Sequence, residues 1–176
     1  MVINYKQIRS KREQIKEKLR AAQDLTPLIS LAQSILDAYE SSLELPSDTW
    51  TDTDGNRHRY VSCGTSAAGQ FTRMPLSQIP SVLPKIRGGS KDKAFNFIIE
   101  TVIDDTPGEV ASIFTALTIT ENRDNDLIIS VNRRVVPLKE NGSPYATVCE
   151  AIQYHVLDEI ENLCIDGSKE RVQLWG

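Results

Sequence analysis

The stretch from residue 93 to residue 137 constrains the fold most, because apolar side chains alternate along it with a period of two. That period places one set of side chains on one face of a β-strand. Turn-forming residues cluster at 105–108 and at 122–125. Connections this short join antiparallel neighbours, since a parallel pair needs a crossover of a dozen residues or more. The sequence therefore predicts a three-stranded meander, whose first strand carries the apolar set Phe95, Phe97, Ile99, Thr101 and Ile103 and whose third strand covers Leu127–Val136.

A β-hairpin is predicted upstream of the meander. Asp48–Thr53 and Arg57–Cys63 flank Asp54-Gly55-Asn56, and Asp-Gly is a strong tight-turn signal. Residues 64–92 then contain many glycines and prolines, so we expect a long irregular connection with one short helical turn inside Leu76–Ile86. A connection of this length within a compact domain is usually functional or mobile.

Helices are predicted at both ends of the chain. Apolar residues recur at helical spacing over about 4–23 and 27–43, and Thr26-Pro27 reads as an N-cap followed by the first helical position. A single long helix kinked at Pro27 is the alternative. A third helix is predicted to open at Ser143-Pro144 and to stop at 166–167, before a short terminal strand at Arg171–Trp175.

The predicted fold class is α+β: an antiparallel meander of about five strands, with two N-terminal helices and one C-terminal helix packed on it. The 176 residues fit one domain. Residues 1–45 form the helical segment, and residues 46–176 form the sheet with the C-terminal helix. We expect the two parts to make one compact domain.

Composition argues for a soluble protein of the cytoplasm. No stretch approaches the roughly 20 apolar residues that span a bilayer. The first residues have no apolar run after their charges, so we expect no secretory signal and no membrane partner. The three cysteines Cys63, Cys149 and Cys164 are odd in number and far apart, which fits a reducing compartment.

No cofactor and no metal site is predicted. The sequence has no Cys-x-x-Cys pair. His155 and Glu159 lie four residues apart on one predicted helix face, but two ligands are too few to hold a metal. A histidine packed beside the core is the simpler interpretation.

Charge is distributed unevenly along the chain. Residues 1–23 carry seven basic and two acidic side chains, a net +5, whereas the remainder carries 13 basic and 22 acidic side chains, a net −9. Such a basic segment is a candidate for contact with nucleic-acid phosphates. Glu13 and Glu17 lie within four residues of several of these cations, which is also typical of a solvated helix. The candidate nucleic-acid-binding residues approximate one helix face and are Lys6, Arg9, Lys16 and Arg20.

The apolar stripe of the first helix is a candidate protein interface. One charged residue, Arg12, interrupts it, and a single polar residue in such a stripe can set the register where two helices meet. An arginine that snorkels from the edge of an intramolecular packing face is the alternative. The candidate interface residues are Tyr5, Ile8, Arg12, Ile15 and Leu19.

A catalytic site is not predicted. Gly64-Thr65-Ser66-Ala67-Ala68 imitates a nucleophile elbow, but that device needs a parallel sheet and a helix directly after the serine. Gly69 and Pro75 oppose that helix, and the sheet is predicted to be antiparallel. Should the 64–92 connection roof a pocket, its candidate ligand-binding residues are Arg57, His58, Arg59 and Ser66.

Three functions remain open from the sequence. The first is a non-enzymatic interaction protein or assembly subunit, with a protein partner or a second copy of itself. The second is a nucleic-acid-associated regulator that uses the basic N-terminal helix. The third is a small enzyme or ligand binder with a pocket under the 64–92 connection.

Overall fold

The computed structural model describes residues 4–82, 93–122, 124–138 and 143–165, with the backbone alone at 19–23, 81–82 and 164–165. The predicted terminal strand at Arg171–Trp175 lies outside the described residues.

The two predicted N-terminal helices are confirmed as separate elements. Helix α1 is Tyr5–Gln23 and helix α2 is Thr26–Ser42. A single 3-10 turn, Leu76–Gln78, leads into the short helix α3, Ile79–Val82, and helix α4 is Ala146–Ile165.

The strands form two antiparallel sheets. One has two strands, in the order β1-β2, and the other has six, in the order β4-β3-β5-β6-β7-β8. Their bounds are β1 Thr49–Thr51, β2 Arg57–Arg59, β3 Val61–Ala67, β4 Gln70–Arg73, β5 Lys93–Asp104, β6 Ala111–Glu121, β7 Leu127–Val131 and β8 Arg134–Val136.

The core lies between one face of the six-stranded sheet and helices α2 and α4. The alternation predicted for β5 is confirmed, since Phe95, Phe97 and Ile99 are buried on that face. Tyr39 of α2 reaches the same face, where its hydroxyl lies 3.0 Å from the Thr101 hydroxyl. We call the opposite side, where Glu100 alternates with these residues, the open face.

The predicted irregular connection is wrong over residues 64–73, whereas the short helical turn predicted inside Leu76–Ile86 is present at 76–82. Residues 61–73 form the β3–β4 hairpin, which turns at Ala68 (φ 52°) and Gly69 (φ 78°). Gly69 therefore supplies the positive φ of a tight turn rather than a break in the structure. The predicted strand Arg57–Cys63 is likewise divided, because β2 and β3 belong to different sheets.

The predicted third meander strand, Leu127–Val136, is in fact a hairpin. It turns at Asn132 (φ 47°) and Arg133 (φ 67°), which lack the Asn-Gly signal of such turns. The Asn132 side chain compensates, since its Oδ1 accepts the Ala116 N–H at 3.0 Å.

Two predicted helix starts also need correction. Leu25, not Thr26, is the N-cap of α2, and Asp24 Oδ1 accepts the Thr26 N–H at 3.0 Å. Helix α4 begins at Ala146, two residues after the predicted Pro144.

Candidate interaction surface

Helix α1 presents its apolar stripe to solvent. Every described side chain from Tyr5 to Lys18 is exposed, and the exposed fractions of Tyr5, Ile8 and Ile15 are 76%, 56% and 49%. Helix α2 has a similar stripe but buries it against the sheet; its buried residues are Leu28, Ala32, Ile35 and Tyr39. The apolar stripe of α2 is therefore part of the core, whereas the described part of the α1 stripe is exposed to solvent.

The exposed stripe lies on the surface of a single helix, since the residues around it all belong to α1. Arg12 lies between Ile8 and Ile15 along it, and its own side chain is exposed. The side chain of Leu19, the last predicted interface residue, lies outside the described residues.

The cations of α1 surround this stripe. Of the predicted nucleic-acid-binding residues, Lys6, Arg9 and Lys16 are exposed, whereas the side chain of Arg20 lies outside the described residues. Lys16 donates a hydrogen bond to Glu13 Oε1 at 3.3 Å. An exposed pair of this kind stabilises a helix little, so the positive charge remains available to a partner.

The outer face of α4 is a second exposed apolar surface, which the sequence analysis did not single out. Tyr154 and Leu157 are 67% and 55% exposed, on the side of the helix opposite the buried Val148 and Ile152. We define the α4 outer face by its exposed apolar and acidic residues: Glu150, Tyr154, Leu157, Asp158 and Glu161. The i, i+3 spacing of Tyr154 and Leu157 opposite the core stripe is the sequence signal for it.

The structure places three predicted ligand-binding residues on β2. His58 Nε2 lies 2.7 Å from Asp52 Oδ2, and the His58 ring stacks on Trp50 at 4.8 Å between centroids. The pKa of Asp52 is lowered to about 2, and the largest cause is its hydrogen bond with His58. Hydrogen bonds from backbone N–H groups lower it further. The contacts of His58 therefore lie within the β1–β2 hairpin, whereas neighbouring Arg59 pairs with Glu40 and connects that hairpin to α2.

Ser66 lies apart from these residues. It is exposed on β3 of the six-stranded sheet, opposite Phe71 of β4. The strand alternation puts Ser66 on the open face, because its neighbour Thr65 is buried on the helix side. His155 is on α4, and its Nε2 lies 3.4 Å from the Phe114 carbonyl oxygen. The structure thus separates Ser66 both from β2 and from His155.

The open face carries a polar cluster that sequence reasoning missed. Glu100 is only 4% exposed, and both its oxygens accept hydrogen bonds from the Arg73 guanidinium, at 2.7 Å for Oε1. Ser62 donates a further hydrogen bond at 2.7 Å. Burial alone would raise the pKa of Glu100, but the bonds from Arg73 and Ser62 lower it. The lowered pKa favours the ionised carboxylate, whose hydrogen bonds link β5 to β3 and β4.

The two described cysteine thiols are held in their protonated form. Burial raises the pKa of Cys63 and of Cys149. Cys63 also donates to the Met74 carbonyl oxygen at 3.4 Å. Burial therefore disfavours the thiolate, which is the nucleophilic form, at both positions.

Comparison with known proteins does not assign the chain to a family. No family model matches it, and no curated protein and no solved structure shows significant similarity to it. Among the described residues, no group of three or more potential metal ligands is clustered. In the same part of the chain, no helix has both the length and the apolar character that crossing a bilayer requires.

Proposed function

We propose that this protein is a non-enzymatic interaction subunit that binds another protein chain through the apolar stripe of α1. One observation carries the proposal: Tyr5, Ile8 and Ile15 are exposed at helical spacing, although α2 beside them in the sequence buries a similar stripe. A contiguous apolar stripe rimmed by charges is typical of a surface that another chain covers.

The energetics of α1 support a partner. Helices in proteins gain most of their stability from packing an apolar face, and the described side chains of α1 are all exposed. Burying each large apolar side chain of the stripe contributes about 1.5–3 kcal/mol. The stripe can therefore both order α1 and anchor it to a partner.

The described side chains of α1, at residues 5–18, do not enter the core of the rest of the molecule. The buried cluster draws its described members from α2, the sheet and α4, together with Leu76 and Ile79. Residues 24 and 25 connect α1 to α2, and we call the described molecule from α2 onwards the body. We expect α1 to extend from the body as an arm that binds the partner.

Site-specific photo-crosslinking in the native cell tests the proposal. A photoreactive residue replaces Ile8, within the stripe, or Ser10, on the opposite side of the same helix. Protein adducts are expected at position 8, with at least about tenfold fewer at position 10. Equal labelling at both positions, or no protein adduct at either, would overturn the proposal.

A second candidate function is nucleic-acid association, favoured by the exposed cations Lys6, Arg9 and Lys16 on one face of α1. Its test is a filter-binding titration at low and high salt, because phosphate contacts release counterions and make affinity fall steeply with salt. The full chain is expected to bind at low salt if this function holds, and a chain without residues 1–23 is expected to lose binding. No binding at low salt removes this candidate.

A further inference from the structure

We propose that the partner of α1 is the α4 outer face of a second copy of this chain, and that the exchange is reciprocal. This inference rests on the proposed function, since it names the occupant of the α1 stripe. Two copies that each dock α1 on the other's α4 make a closed, two-fold dimer with two identical contacts.

Charge complementarity is the first argument. The segment that contains α1 has a net charge of +5. Helix α4 contains four carboxylates and neither lysine nor arginine in its sequence. Three of these carboxylates, Glu150, Asp158 and Glu161, are exposed on the outer face beside Tyr154 and Leu157. An apolar pair with carboxylates at its ends and beside it complements an apolar stripe that cations flank.

Spacing is the second argument. Along α1, Tyr5, Ile8 and Arg12 follow one another at intervals of three and four residues, the spacing of a helix–helix seam. On α4, Tyr154, Leu157 and Glu161 show the same intervals. Docking these segments side by side pairs apolar residues with apolar residues and Arg12 with a carboxylate.

The match also holds when the helices run in opposite directions. Read backwards along α4, Leu157, Tyr154 and Glu150 again follow at three and four residues. The two carboxylates at the ends of the α4 outer face therefore offer Arg12 a partner in either orientation. An arginine in the stripe is then a register-setting group rather than a defect.

Pairing between two α1 helices is disfavoured by the same charges. With Tyr5 and Arg12 one heptad apart in the stripe, the flanking positions are occupied by Arg9, Lys11, Lys16 and Lys18. A symmetric α1 pair would place these cations opposite one another, and like charges across a seam repel. An acidic helix face is the better occupant, and the chain itself supplies one.

Sedimentation analysis of the purified full chain, over a series of concentrations, tests the inference. The chain is expected to dimerise, and high salt is expected to weaken the dimer. Arg12→Glu is expected to raise the dimer dissociation constant about 100-fold, because each dimer contains the contact twice. The double variant Glu150→Arg/Glu161→Arg is expected to do the same. Combining all three changes is expected to bring the dimer dissociation constant back to within about tenfold of the wild-type value.

The matched control is Arg57→Glu, which makes the same change of charge on the exposed strand β2 and is expected to leave the dimer unchanged. Far-ultraviolet circular dichroism of every variant establishes that it is folded. All altered side chains are exposed, so we expect wild-type spectra.

The outcomes separate the inference from the proposed function. A monomer at every concentration, with a protein adduct of another mass at position 8, overturns the second-copy partner and leaves the interaction function standing. A monomer without adducts overturns both. The choice of α4 is overturned if Arg12→Glu weakens the dimer but Glu150→Arg/Glu161→Arg does not. It is also overturned if the combined variant does not restore the dimer.

Discussion

Gly64 marks the closest approach between β3 and β4. A Cβ at this position would lie 2.1 Å from the Thr72 carbonyl oxygen and 2.8 Å from the Phe71 ring. Gly64→Ala must therefore push the hairpin strands apart, and we expect it to lower the free energy of unfolding by about 2 kcal/mol.

Urea denaturation measures the effect of Gly64→Ala. Ser66→Ala is the matched control, because Ser66 is exposed two residues along the same face of β3. Equal stability of Gly64→Ala and the wild type would contradict the close packing of β3 on β4.

Asp52 gives the molecule a local dependence on pH. Its ordinary pKa of 3.8 is lowered to about 2 in the folded state, chiefly by the contact with His58. Its stabilising contribution is therefore fully present above its ordinary pKa and is lost as the pH falls towards about 2.

Asp52→Asn tests this dependence while keeping an oxygen for the N–H groups of Asp54 and Asn56, which bond to Asp52 Oδ1. The variant is expected to be less stable than the wild type at neutral pH, with a difference that disappears between about pH 4 and pH 2. Thermal unfolding across that range measures it. A difference that stays constant would show that ionisation of Asp52 is not its source.

At the scale of elements, the pair Arg73–Glu100 connects β4 to β5 across β3. Arg73→Met leaves a nearly buried carboxylate without its main donor, so we expect a loss of about 2 kcal/mol. The double change Arg73→Met/Glu100→Leu removes both charges and is expected to recover at least half of that loss. Urea denaturation of the two variants is the measurement, and a double variant less stable than Arg73→Met would contradict the account.

The elements differ in how far the sequence predicts them. The alternation along β5 could be predicted because successive side chains of a strand point to opposite faces. The apolar Phe95 and Phe97 on one face are separated by the polar Asn96 on the other. The turns were harder to predict, since Ala68 and Arg133 adopt positive φ although neither is a typical turn residue. Glycine at position 69 is compatible with a loop or with a hairpin, and only the pairing with β4 decides between them.

The candidate surface was predicted only in part. Tyr5, Ile8 and Ile15 follow from periodicity, but periodicity alone gives α2 the same expectation. Which stripe is buried depends on tertiary packing, such as the contact of Tyr39 with Thr101. The α4 outer face was missed because Tyr154 and Leu157 are outnumbered by the core stripe on the same helix.

For the whole molecule, removal of residues 1–23 separates the arm from the body. The core contains no described residue of α1, so we expect the shortened chain to fold with a free energy of unfolding within about 0.5 kcal/mol of the full chain. Urea denaturation at a protein concentration too low for association is the measurement. A loss of several kcal/mol would mean that α1 stabilises its own body.

Hydrogen–deuterium exchange of the full chain tests the central claim, that α1 is not packed on its own body, most directly. At a concentration low enough for a monomer, the amides of residues 5–18 are expected to exchange far faster than those of α2 and α4, because local stability follows packing. Protection of α1 comparable to that of α2 under these conditions would contradict the claim, since it would place the arm on its own chain.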